Sequence, residues 1–182
     1  MVVVQSVQNR VFELMVSHLE QVAVELFDAY GIPAEAGAAS EVVFEPAGAA
    51  SNLAVMGFVG EGIRGALIMI ALDSAVVAWL KAMGETSGDP ADVLGEFANM
   101  LLGRLKTRLI PEGLPLQVST PTTASGNGLR LSTPPASSRW IGVRGKDWDV
   151  KVRLDTTFDS HFQLQDVRAA EAPAEAGEAI FF

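Results

Sequence analysis

The sequence predicts an α+β fold: a mainly antiparallel sheet with a long N-terminal helix and two central helices packed on it. Three observations carry this prediction. Apolar residues recur at helical spacing over residues 7–30, 75–83 and 90–109. Short apolar runs flank a tight glycine turn at Gly60-Glu61-Gly62. Strands and helices come in separate runs instead of alternating, which favours an antiparallel over a parallel sheet.

The elements follow in order. Val7, Val11, Leu14, Met15, Leu19, Val22, Leu26 and Phe27 define the apolar face of a first helix, with Glu13, Glu20 and Glu25 between them and Gly31 and Pro33 as its stop. Residues 34–40 read as a small-residue linker, and residues 41–45 as a short strand closed by Pro46 and Gly48. Residues 52–60 and 63–71 form a hairpin. Gly57, Gly60, Gly62 and Gly65 permit its turn and the close packing of its strands. Asp73 or Ser74 caps a second helix over residues 75–83, which Gly84 ends. Asp89 is the N-cap of the third helix, Pro90 its first residue and Asp92 its first-turn acid; Arg104, Lys106 and Arg108 suit its negative end, and Pro111 and Gly113 close it. Leu116, Val118 and Thr120 alternate as a strand, Gly126-Asn127-Gly128 reads as a turn or exposed loop, and two more strands cover residues 139–144 and 148–154. Residues 1–165 are expected to form one domain. Residues 166–182, rich in Ala, Glu and Pro and ending in Phe181 and Phe182, are expected to be an acidic flexible tail.

Composition removes several function classes. A formal net charge of -9 and a sequence pI near 4.6 oppose an electrostatic grip on nucleic acid or an anionic membrane. The chain has no cysteine, which excludes disulfides, thiolate metal sites and a cysteine nucleophile. The N-terminus lacks the basic and apolar regions of a secretory signal, and the densest apolar run, residues 66–72, is far too short for a membrane span. A cytoplasmic location is the expectation. His18 and His161 stand without a second histidine or a carboxylate at metal-ligand spacing, so no metal site is expected. There is no phosphate-binding lysine loop, and Ser125-Gly126-Asn127-Gly128 has no helix after it to make an anion site.

The third helix is the exception to this plainness. At about 100° per residue, Asp92, Glu96, Asn99 and Gly103 fall within an arc of roughly 60°, opposite Leu94, Phe97, Ala98, Leu101 and Leu105. A carboxylate and a carboxamide therefore stand side by side on the solvent face. Asp92 is explained by the helix dipole alone, and Glu96 in isolation is an ordinary surface residue. Asn99 costs helix propensity in mid-helix and offers little in return unless its amide is used. Gly95 and Gly103 each cost about 1 kcal/mol relative to alanine, and beside the stripe they would let another molecule approach the backbone.

Asp92, Glu96 and Asn99, followed by Met100 and Gly103, resemble the signature of the CheC/CheX/FliY group of chemotaxis phosphatases. The order of elements over residues 7–158 is similar to that group's fold, and Pro121 stands about where the family places a proline after this helix. One Glu-Asn helix without a second copy is closer to CheX than to the two-site CheC pattern. The resemblance implies a phosphatase that hydrolyses the aspartyl phosphate of a CheY-like response regulator. It implies no cofactor of its own, because the regulator supplies Mg2+. Asn99 would position the attacking water, since an amide orients water without changing protonation state. Glu96 would anchor the helix through a lysine of the partner and is not expected to be a general base. Asp92, Gly95, Met100 and Gly103 would contact the partner. The family also implies a homodimer that leaves this helix free. A rival reading keeps the same fold as a non-catalytic module that binds a receiver domain, and a third places the stripe in a homo-oligomer interface.

Overall fold

The computed structural model describes residues 2–39, 49–85, 87–127, 129, 131 and 137–162, with side chains from residue 7 onward. The expected strand at 41–45, the tail at 166–182 and the terminal Phe181 and Phe182 lie outside the described residues. Three helices are described, α1 (Val2–Ala29), α2 (Asp73–Ala82) and α3 (Pro90–Leu109). The strands are β1 (Glu35–Ala38), β2 (Ala50–Gly60), β3 (Ile63–Leu72), β4 (Gln117–Val118), β5 (Thr122–Asn127), β6 (Ser137–Arg144) and β7 (Asp149–Phe158). They form one sheet in the order β1-β6-β7-β3-β2, with β4 and β5 both pairing with β2, and every pairing is antiparallel. The α+β architecture read from the sequence is therefore the one observed.

The period of two in the strands decides which residues meet the helices. Ala54, Met56 and Phe58 of β2, Leu67 and Met69 of β3, Ile141 and Val143 of β6, and Val150, Val152 and Leu154 of β7 join α1, α2 and α3 in a single core. The alternate residues Ile68, Ile70 and Trp140 form a smaller cluster on the other face, where Leu53, Val55 and Ala66 pack against it. At the β2–β3 turn Gly62 has φ 66°, a conformation that glycine adopts without steric cost.

Four local expectations are corrected. Residues 35–38 are not linker: they pair with Ile141 to Arg144 as edge strand β1, where backbone hydrogen bonds outweigh the low strand propensity of Glu-Ala-Gly-Ala. Gly126 and Asn127 are not in a turn but in β5, opposite Ser51 and Ala50. The strand expected over residues 116–120 is only Gln117–Val118, because Ser119 turns its hydroxyl to accept from the Gly57 amide at 2.9 Å. Asp73 does not cap α2. It lies inside the first turn, after Leu72 at the N-cap position, and its carboxylate accepts a 2.6 Å hydrogen bond from Asn52 Nδ2. The buried Asn52 in turn accepts from Ser125 Oγ at 2.7 Å, so this network ties β2 to α2 and to β5.

Candidate functional site

Helix α3 starts as its sequence indicates. Asp89 is extended (φ -70°, ψ 124°), its carboxylate accepts from the Ala91 and Asp92 amides at 2.9 and 3.3 Å, and Pro90 follows at the first helical position. The inner face is tightly held. Leu94, Ala98, Leu101, Leu102, Leu105 and Leu109 are fully buried. Phe97 joins an aromatic cluster, its ring centroid 5.2 Å from Phe27, 5.3 Å from Trp79 and 5.4 Å from Tyr30. This packing fixes the rotation of the helix about its axis, and so the direction of its outer face.

On that outer face Asp92, Glu96 and Asn99 are exposed. Among the described residues no hydrogen bond or ion pair engages the side chain of Glu96 or Asn99. Residues three apart on a helix hold their Cβ atoms about 5–6 Å from each other, so this carboxylate and carboxamide can touch a single ligand group together. Neither side chain is needed to hold the fold.

The flanks of the pair differ. Met100 is half-buried against the core, and its sulfur accepts a 3.1 Å hydrogen bond from the Tyr30 hydroxyl at the end of α1. Tyr30, itself 39% exposed, thus walls one side of the stripe. On the other side stands the chain leading into β5. Gly95 is buried there, and a Cβ on it would lie 2.8 Å from Thr123 Cγ2 and 3.8 Å from Pro121 Cβ. This corrects the reading of Gly95 as a place where another molecule reaches the helix backbone. The protein's own edge strand occupies that position, and glycine is what allows it. Gly103 is half-buried, and beyond its own stretch of helix backbone no atom comes within 4 Å of the point where a Cβ would stand, so the surface there is low and open. Tyr30 and Thr123 escaped sequence reasoning, because each reaches the site from an element distant in the chain.

Among the described residues no cluster of three or more His, Asp or Glu side chains is arranged to hold a metal ion, and no helix is long and apolar enough to cross a membrane. The arrangement is a rigid helix offering one free acid and one free amide outward. It suits insertion into another molecule's site better than enclosure of a small substrate.

The fold is of the CheC/CheX type. Residues 53–142 match the family model described as chemotaxis phosphatase CheX. No curated protein matches the chain in sequence. Among solved structures, the chemotaxis protein CheX from a Desulfovibrio desulfuricans subspecies superposes with a TM-score of 0.65 at 21% identity, covering 79% of this chain and 99% of that one. A CheC-like superfamily protein from Shewanella sp. PV-4 gives 0.66 at 16% identity, covering 79% and 97%. CheX in the CheX–CheY–BeF3–Mg2+ complex from Borrelia burgdorferi gives 0.60 at 14% identity, covering 78% and 96%. Over residues 53–142 the chain is similar to the chemotaxis phosphatase CheX family, and its fold is the CheC/CheX-like one.

Proposed function

We propose that the protein hydrolyses the aspartyl phosphate of a CheY-like receiver domain by inserting α3 into the receiver's active site. The observation that carries this reading is the pair of exposed, unengaged side chains of Glu96 and Asn99 on a helix whose opposite face is locked into the core. An aspartyl phosphate is a reactive mixed anhydride, and the receiver brings Mg2+ to the phosphoryl oxygens. The missing part is a water held in line with the leaving carboxylate, because phosphoryl transfer depends on positioning and electrostatic stabilisation. Asn99 supplies it. Its amide can accept from and donate to the water without gaining or losing a proton.

Glu96 anchors the helix by pairing with a cationic side chain of the receiver. Without that charge a carboxylate beside a phosphoryl group would be repelled, so the anchor also limits docking to partners that present a cation there. A hundredfold acceleration needs about 2.7 kcal/mol of barrier reduction, within reach of one well-placed amide. The protein would act as a homodimer that leaves α3 free for its partner.

The test is phosphate release from CheY receivers phosphorylated with phosphoramidate in Mg2+. Asn99→Ala is expected to keep binding, measured with the BeF3-activated receiver, and to lose acceleration by about a hundredfold. Glu96→Ala is expected to weaken binding as well. Parental release by Asn99→Ala would overturn the mechanism, whereas tight binding with no added release by the parent protein would favour the non-catalytic module.

A further inference from the structure

Helix α3 carries more on its outer face than the Glu-Asn pair. Asp92, Glu96, Asn99, Gly103, Lys106 and Ile110 follow one another at intervals of four, three, four, three and four residues. That alternation keeps side chains along one line of a helix, as in the seam of a helix-packing interface. Ile110, at the helical C-cap position, continues the line and is 50% exposed, one of few large apolar side chains left in solvent among the described residues. Lys106 is half-buried and has no ion pair among the described residues, whereas Arg108, close by, is held by Glu25 at 2.6 Å.

The seam is polarised. Its first half is acidic (Asp92, Glu96), its middle is an amide and an open glycine, and its second half is a cation followed by an apolar side chain. At about 1.5 Å per residue, Lys106 lies about 10 Å beyond Asn99 along the axis and Ile110 about 16 Å beyond it. The charge of the whole chain makes the cation informative. A protein of formal net charge -9 is repelled by an anionic phosphorylated partner, so a free lysine on the docking line supplies attraction where it is needed. The polarity also sets direction: docking the helix the other way round would set Lys106 against the partner's cation and Glu96 against its acidic surface.

We infer that the seam Gly103-Lys106-Ile110 is a specificity-determining extension of the docking surface, fitted to a phosphorylated receiver with an acidic group about 10 Å from its phosphoryl group and an apolar patch beyond it. The inference rests on the reading that α3 inserts into a receiver. Lys106 also has an ordinary role, as a cation near the negative end of a helix, and the assay separates the two.

Phosphate release is measured by steady-state kinetics on a panel of CheY receivers phosphorylated with phosphoramidate, using parent protein, Lys106→Gln, Lys106→Glu and Ile110→Asp. All are surface changes, and thermal melts check their folding. On the receiver that the parent serves best, Lys106→Glu is expected to lower kcat/KM about tenfold at about 0.05 M salt, through KM with kcat held, and the gap should close to about threefold at about 0.5 M. Lys106→Gln should fall between. Ile110→Asp should raise KM by about tenfold at either salt, because it removes apolar contact instead of charge. A helix-end role alone would lower the melting temperature and leave kcat/KM unmoved. The inference is overturned if Lys106→Glu stays within about twofold of the parent at low salt, or if its loss falls on kcat alone. Asn99→Ala in the same assay isolates the catalytic reading: its failure to slow release would sink that reading, while an inert Lys106→Glu beside an inactive Asn99→Ala would sink only the seam.

Discussion

Gly95 allows the packing around the site to be tested by a single methyl group. Replacing an interior helical glycine by alanine ordinarily stabilises by about 1 kcal/mol. Here the new methyl would stand 2.8 Å from Thr123 Cγ2, against the usual 3.5–4.0 Å for two carbons, so roughly 1 Å must be found. Thr123 is exposed on an edge strand and can rotate its methyl away, at about 0.5–1.5 kcal/mol. The two terms cancel, so Gly95→Ala is expected to be neutral within about 0.5 kcal/mol. In a Thr123→Ser background the opposing methyl is gone. The next neighbours, Pro121 Cβ and Cγ at 3.8 and 4.0 Å, make ordinary contact, and the full gain of about 1 kcal/mol should appear. Urea unfolding followed by tryptophan fluorescence measures this as a midpoint shift at unchanged slope, and about 1 kcal/mol corresponds to roughly 2–4 °C in a melt of a chain this size. The expected coupling is about 1 kcal/mol. A coupling below about 0.3 kcal/mol, with equal stabilisation in both backgrounds, would refute the claim that Gly95 exists to admit β5.

Two further outcomes concern stability. Asp89→Ala removes the acceptor for two backbone amides at the start of α3 and should cost about 1 kcal/mol by urea unfolding, with Asp89→Asn recovering most of it. Asp155→Ala should cost about 3–5 kcal/mol, because it strands Arg153, which is 4% exposed, paired to Asp155 at 2.7 Å and stacked 5.4 Å from the Trp140 ring. The double variant Arg153→Met/Asp155→Leu should cost less than Asp155→Ala alone; a cost as large would mean that the pair itself, and not the stranded charge, carries the energy.

What could be read from the sequence was what local physics decides. The extent of α3 followed from Asp89, Pro90 and the spacing of Leu94, Phe97, Leu101 and Leu105, and its burial pattern agrees with that reading except at Gly95, which is buried. The hairpin of β2 and β3 followed from its glycine turn. Two edge strands, β1 and β5, were missed for one reason. Glu35–Ala38 and Thr122–Asn127 are made of small and polar residues with little strand signal beyond Thr122 and Thr123, and they are strands because β6 and β2 offer them a row of backbone partners. The same limit applied at the site. The exposure of Glu96 and Asn99 was legible because it depends on periodicity alone. That Gly95 serves β5, that Tyr30 holds Met100 and that Asp73 receives Asn52 depended on contacts across 21 to 70 positions of chain. The line through Lys106 and Ile110 was open to the same periodicity argument; helix-dipole complementarity gave Lys106 a sufficient explanation and hid it.

These non-local contacts bear on how α3 would catalyse under the proposed mechanism. Positioning a water demands that the amide be held to within a fraction of an ångström, and an exposed side chain on a mobile element could not do so. Asn99 has no hydrogen bond of its own among the described residues, so its precision must come from the backbone beneath it. That backbone is held by Phe97 in the aromatic cluster below and by Met100 tied to Tyr30 on one flank, while Gly95 leaves room for β5 on the other. Close packing of this kind resists small displacements, because any shift of the helix must open contacts on one side and compress them on another. Of the two glycines beside the stripe, Gly95 thus makes room for the protein's own strand, and Gly103 leaves the surface low. On the proposed mechanism the division is physically sensible: rigidity serves the turn that carries Asn99, and open space serves the turn beyond it, where the receiver would come close.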